Sequence, residues 1–192
     1  MKYQIRDSAY TLKPEQIRAL IDCLPNFRDR LIIKVFAYTG IRRDELAHIR
    51  LSDIDYQNQT IKVVGKGNKL RMLPVPLSVL NDIKLYAATR YTGYLFASRY
   101  KNKNAPMKLA SYNNICMKAG NLAGIKNPNP NKAHINPYIF RHSYARIAKD
   151  RGMSFEALQN IMGHSSFVTT MDMYGTMSLD DIKKDSECMA FI

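Results

Sequence analysis

The sequence predicts an α+β fold, mainly α-helical, with one small antiparallel sheet in a single domain. Three observations carry this. Apolar residues recur at helical spacing through most of the 192 residues, in segments that repeatedly close on glycine. The period changes to alternation only in "TIKVV" and "LRMLPV", which flank "GKGNK". No internal repeat or clear linker divides the chain, and 46% apolar residues suffice for one hydrophobic core.

In "TLKPEQIRALIDCLP", Ile17, Leu20, Ile21 and Leu24 share a helical face, Thr11 or Lys13 stands near the start and Pro25 is a stop. "RDRLIIKVFAYTG" is a more hydrophobic helix with Gly40 as its C-cap. A short helix, "RDELAHIRL", follows. "TIKVV" and "LRMLPV" then form a hairpin in which Gly65 and Gly67 are able to take positive φ. "LSVLNDIKLYAATRYT" is helical, "YLFAS" is a short apolar segment and "RYKNKNAPMK" is a basic loop. Beyond it, "LASYNNICMKAGNLAG" is a helix and "IKNPNPNKAHINP" is turn-rich and irregular. "YIFRHSYARIAKDRG" and "SFEALQNIMG" are two helices, each closed by glycine; the tail, 178–192, has room for one more and ends on the apolar "CMAFI".

Composition narrows the function. No apolar run approaches the roughly 18 residues of a membrane span, and "MKYQIRDSAYTLKPEQ" lacks the apolar core of a signal peptide. A cytoplasmic protein without a membrane partner is expected. Cys23, Cys116 and Cys188 are odd in number and far apart, which points to reduced thiols rather than a disulfide framework or zinc site. The histidines at 48, 134, 142 and 164 show no metal-ligand spacing. With 29 Lys+Arg against 16 Asp+Glu the net charge is +13, an excess that suits a polyanion, most simply nucleic acid.

Positive charge meets special geometry at three places. Arg42 and Arg43 open the helix after Gly40, where side chains and backbone N–H groups can face one anion. Lys66 stands at the hairpin tip, and Arg141 and His142 lie one turn into a later helix. Singly, each is explained as well by a solvated arginine pair, a charged turn and a helix-face ion pair. "GKGN" lacks the spacing and following helix of a P-loop. No carboxylate cluster suits a two-metal nuclease, and Ser165 beside His164 lacks the context of a nucleophile elbow. What remains is phosphate chemistry without a metal. Two arginines can neutralise a phosphodiester in its transition state, a lysine can protonate the departing 5′ oxygen, and a histidine can bond a phosphoryl oxygen or help to move a proton. Tyrosine suits a reversible covalent step, because a phenol of pKa about 10 leaves more readily than an alkanol. That chemistry supplies a reason for Tyr174.

"YTGIRRDELAHIRLSDID", "VVGKGNKLRMLPVP", "NPYIFRHSYA" and "MGHSSFVTTMDMY" resemble, in order, the motif blocks of the tyrosine recombinases, the phage integrase family. The resemblance spans about residues 12 to 176. It implies the family's catalytic-domain fold, mainly helical with a small antiparallel three-stranded sheet. It also implies site-specific DNA breakage and rejoining through a 3′-phosphotyrosine, without metal, ATP or other cofactor. Position by position, Tyr174 matches the nucleophile, Arg42 and Arg141 the two arginines, Lys66 the general acid and His164 the histidine of the later helix. Glu45 matches an acidic residue that supports the site by orienting an arginine, and His142 reads as structural. The commonest pattern, H-x-x-R-H, departs here to "YIFRH": Tyr138 replaces the first histidine, which keeps a phosphate hydrogen bond but not acid–base duty.

The implied partners are double-stranded DNA, a homotetramer in the synaptic complex formed from monomers, and accessory DNA-bending or directionality proteins. The implied location is the cytoplasm, on the nucleoid when bound. The whole of 1–192 reads as one catalytic domain, without the family's N-terminal core-binding domain; the tail 178–192 packs either on a neighbour or on its own subunit. Two rivals stand beside recombination: a type IB topoisomerase-like DNA-relaxing enzyme and a catalytically silent DNA-binding relative. The "GHSS" spacing before Tyr174 favours recombination.

Overall fold

The computed structural model describes residues 10–98 and 105–163. In chain order the elements are α1 (Pro14–Asp22), α2 (Phe27–Thr39), α3 (Arg43–His48), β1 (Ile54–Asp55), β2 (Thr60–Val64), β3 (Leu70–Pro74), α4 (Leu77–Ala87), α5 (Leu109–Ala123), α6 (Pro137–Asp150) and α7 (Phe155–Met162). The axis of the fold is α2. Its Leu31, Ile32, Ile33, Val35 and Phe36 are all buried, so this helix is apolar around its circumference and is packed by α1, α4, α5 and α6. Each such side chain contributes about 1.5–3 kcal/mol on burial. Phe36 stacks on Phe140 of α6 and meets Tyr112 of α5 edge-on, which ties three helices at one point.

The sheet has the order β1-β2-β3 and is antiparallel throughout. Ile61 pairs with Leu73, and Val63 pairs with Arg71. Because side chains alternate, these four share the inward face, while Val64, Leu70 and Met72 point out. β3 packs against α7.

The elements follow the expected order, with local differences, among them the short helix expected over 43–51, which stops at His48. Gly67 takes positive φ (73°), but Gly65 stays at −93° and the turn is a short 3₁₀ segment over Lys66–Asn68. The helix expected over 77–92 stops at Ala87, because Ala88 leaves helical space at φ 50°. The apolar segment around Leu95 and Phe96 is held by its neighbours: Leu95 N–H donates to Ile49 O at 2.8 Å, and Tyr94 and Ala97 form bridges to Arg50 and Pro106. The third strand, β1, is only two residues long, too short to show an alternating pattern. Most of the basic loop and the whole tail lie outside the described residues. Among the described residues, no helix is long and apolar enough to cross a membrane.

Candidate active site

The site is built where α2 ends and α3 begins. Gly40 caps α2 in the left-handed region at φ 62°, and its N–H donates to Phe36 O. A side chain there is excluded twice, by φ and by space: a Cβ would lie 2.7 Å from Tyr144 Cδ1. The chain then turns so that Ile41 is buried and Arg42 becomes the N-cap of α3. Glu45, at the third position of that helix, accepts the Arg42 backbone N–H on Oε2 at 2.9 Å. Its Oε1 accepts from Arg42 Nη1 at 3.0 Å.

The same carboxylate holds a second guanidinium. Arg71, from the inward face of β3, donates from Nη1 to Oε1 at 2.8 Å and from Nη2 to Oε2 at 2.9 Å, a fork-to-fork pair. Burial pushes the Glu45 carboxyl up, but the bonds from Arg71 and from the Arg42 backbone outweigh it and hold the pKa at about 2, against an ordinary 4.5. A folded-state pKa below the unfolded one stabilises above the unfolded value, and that stabilisation disappears as the pH falls from about 4.5 to about 2. A shift of this size is worth about 3 kcal/mol at neutral pH. Wild type is therefore expected to resist urea better than Glu45→Gln at about pH 6, and the gap should narrow below about pH 4.5 and be mostly gone by about pH 2. A gap that stays constant over that range would show that Glu45 is not held ionised.

Arg141 reaches the site from α6. Asn136 caps that helix by accepting from the N–H groups of Tyr138 and Ile139, with Pro137 in the first turn. Arg141 then falls on the buried face and Tyr138 on the exposed one, at 4% and 62% exposure. Arg141 Nη1 donates to Gly40 O at 2.6 Å and Nη2 to Met162 O at 2.7 Å, joining the ends of α2 and α7. Burial first, then the charge of Arg42, lowers its pKa to about 9, with Glu45 opposing, so it stays cationic at neutral pH.

Arg42, Arg141 and Tyr138 line one small cleft with Ile41, Arg43 and Pro137. Glu45 lies behind it, and Arg43 is tied to Asn113 of α5 at 3.1 Å. The N-terminal N–H expected to face an anion at Arg42 is instead taken by Glu45. His142 sits half-buried on α6. The Lys66 backbone lies in the hairpin turn, whereas its side chain, His164 and Tyr174 lie outside the described residues. One residue of this cluster, Arg71, escaped the sequence reading. Its signal was a charge at an inward strand position, between Leu70 and Met72 and in phase with Leu73. Chemically, Arg42, Arg43 and Arg141 line the cleft with the one carboxylate, Glu45, behind it, which leaves it net positive and attractive to a phosphate oxygen.

The profile of the phage integrase family matches residues 10–178. Tyrosine recombinase XerA of Pyrococcus furiosus is 33% identical over 183 residues, 92% of this chain and 60% of that protein. XerA of Thermococcus onnurineus is 30% identical, over 92% of this chain and 61% of that protein. The chain thus spans about 60% of the length of these relatives. Among solved structures, a crystal structure of XerA recombinase superposes with a TM-score of 0.74 at 26% identity, over 94% of this chain and 65% of that one. XerH site-specific recombinase bound to difH substrate gives 0.74 at 19% identity, over 100% of this chain and 57% of that one, a likeness of fold.

Proposed function

Because the chain belongs to the phage integrase family, we propose that it is a site-specific DNA recombinase acting through a 3′-phosphotyrosine, without metal or ATP. The observation that carries this reading is the meeting of Arg42 and Arg141 in one cleft, with Arg141 anchored to a carbonyl 101 residues away. The two arginines neutralise the non-bridging oxygens of the scissile phosphate as charge grows on them. The Tyr138 hydroxyl adds a hydrogen bond from the exposed side of the cleft.

The step proposed is an exchange of esters. The Tyr174 oxygen attacks phosphorus in line, its phenol proton leaving with His164 as the candidate acceptor. The bond from phosphorus to the 5′ oxygen breaks, and Lys66 gives that oxygen a proton. One phosphoester replaces another, so no ATP is required, and attack by the 5′ hydroxyl of a second strand reverses the step. Double-stranded DNA is the partner, a choice that the family and the excess of Lys+Arg support. A tetramer on paired sites and docking of the tail 178–192 on a neighbour belong to the same reading.

The test is a nicked suicide substrate made from DNA flanking the gene, incubated in EDTA and without ATP. Wild type should remain covalently attached to DNA on a denaturing gel, and native sizing of the same samples should give four subunits on paired sites. Lys66→Ala should lose the adduct and regain it on DNA with sulfur at the bridging 5′ position, since a thiolate leaves without a proton. Binding without any wild-type adduct would overturn the reading; failure of sulfur to rescue would overturn the role of Lys66.

A further inference from the structure

Arg71 occupies a place that the proposed chemistry does not assign. Its guanidinium is nearly buried, with the side chain 11% exposed. It uses the fork on Glu45 and donates from Nε to Ile161 O at 2.9 Å, across 90 residues of chain. Ile161 belongs to the last turn of α7, where the Gly163 N–H serves Gln159 O and Asn160 O. Arg71 takes the carbonyl of Ile161 and Arg141 takes that of Met162, so two cations also oppose the negative end of this helix.

Two glycines give the guanidinium its room. A Cβ on Gly163, which is already at φ 60°, would lie 2.9 Å from Nη1 and 3.0 Å from Cζ of Arg71. A Cβ on Gly65 would lie 3.3 Å from the same Nη1 and 3.5 Å from Glu45 Oε1. Gly65 directly precedes Lys66 in the sequence, and Gly163 directly precedes His164. Glu45, in turn, carries Arg42. One planar group therefore touches the backbone or bonding partner beside three of the candidate catalytic positions.

We propose that Arg71 is a positioning residue for strand cleavage, a rigid fork that sets Arg42 through Glu45 and locks the hairpin turn and the end of α7 to the same point. This inference rests on the function proposed above. The argument for a fork, and not merely a charge, is geometric. Three directed bonds in one plane fix three elements at once, whereas a lysine presents a point charge on a flexible stem and cannot span them. Misplacing a catalytic group by about 1 Å is enough to cost about 100-fold in rate.

The experiment compares Arg71→Lys and Arg71→Gln with wild type in single-turnover cleavage across pH, alongside DNA affinity and thermal unfolding. Arg71→Gln is expected to cleave about 100-fold more slowly and Arg71→Lys about 10-fold more slowly, with DNA affinity within a few-fold of wild type. The acid limb of the rate profile should move to higher pH in Arg71→Gln. Glu45 then keeps only Arg42 and the more distant Arg141 as facing cations, and its protonation releases Arg42. Arg71→Lys keeps the charge and folds even where Arg71→Gln does not, so the 10-fold loss remains readable. Cleavage within three-fold of wild type in either variant, or a rate loss without movement of the acid limb in Arg71→Gln, overturns the proposal.

A second readout does not depend on cleavage. The chain has four glutamates, at 15, 45, 156 and 187, so the Glu45 carboxyl is readily followed by carbon NMR. Its titration should move upward in Arg71→Gln and less in Arg71→Lys. An unmoved titration overturns the clamp whatever the enzyme does. Absence of a wild-type adduct with a moved titration overturns the proposed function and leaves the clamp standing.

Discussion

Tyr174→Phe is expected to bind DNA as tightly as wild type and to form no covalent adduct at all. The substitution removes one oxygen and keeps the ring, so packing and the positive cleft are preserved while the nucleophile is gone. DNA affinity should be insensitive, because it is carried by Lys and Arg contacts to phosphates. The control that gives the test its force is Tyr138. It is 62% exposed, lies in the cleft with Arg42 and Arg141, and has its own phenol. If Tyr174→Phe retained the adduct and Tyr138→Phe abolished it, the nucleophile would have been assigned to the wrong tyrosine. If only Tyr174→Phe loses it, Tyr138 is confined to a hydrogen-bonding role.

Arg141→Ala is expected to lower cleavage by about 100- to 1000-fold, the size of effect seen when a preorganised donor to a developing oxyanion is removed. The guanidinium has five N–H donors, so holding Gly40 O and Met162 O is compatible with gripping a phosphate oxygen. Alanine also deserts two buried carbonyls, at about 1–3 kcal/mol each, so a loss of stability is expected as well. Arg141→Lys separates the two effects. It retains a cation and can satisfy one carbonyl, so it should recover most of the stability and little of the rate. A lysine variant that cleaves within a few-fold of wild type would show that Arg141 supplies bulk charge and not directed bonds.

Much of this architecture was open to inspection in the linear chain. Helix ends were readable because capping is local: Gly40 and Gly163 take the left-handed conformation at the ends of α2 and α7. The hairpin was readable because alternation and turn residues sit within a few positions of one another. The early stop of α4 was not, since Ala88 at φ 50° is a conformation that alanine does not advertise. Nor was the space that Gly65 provides, because the group it makes room for, Arg71, reaches it from the opposite strand.

The sequence by itself determined the order of elements, the excess of positive charge and, through four ordered motif blocks, the identities of Arg42, Lys66, Arg141, His164 and Tyr174 as candidates. Only the tertiary structure decided how the described ones are held: Glu45 between two guanidiniums, Arg141 across the ends of two helices, and Arg71 joining β3 to α3 and α7. The physical reason is range. Propensity, capping and periodicity act over a few residues, whereas a buried guanidinium is stable only where distant backbone carbonyls and a carboxylate converge on it, and that convergence exists only once the core around α2 has formed.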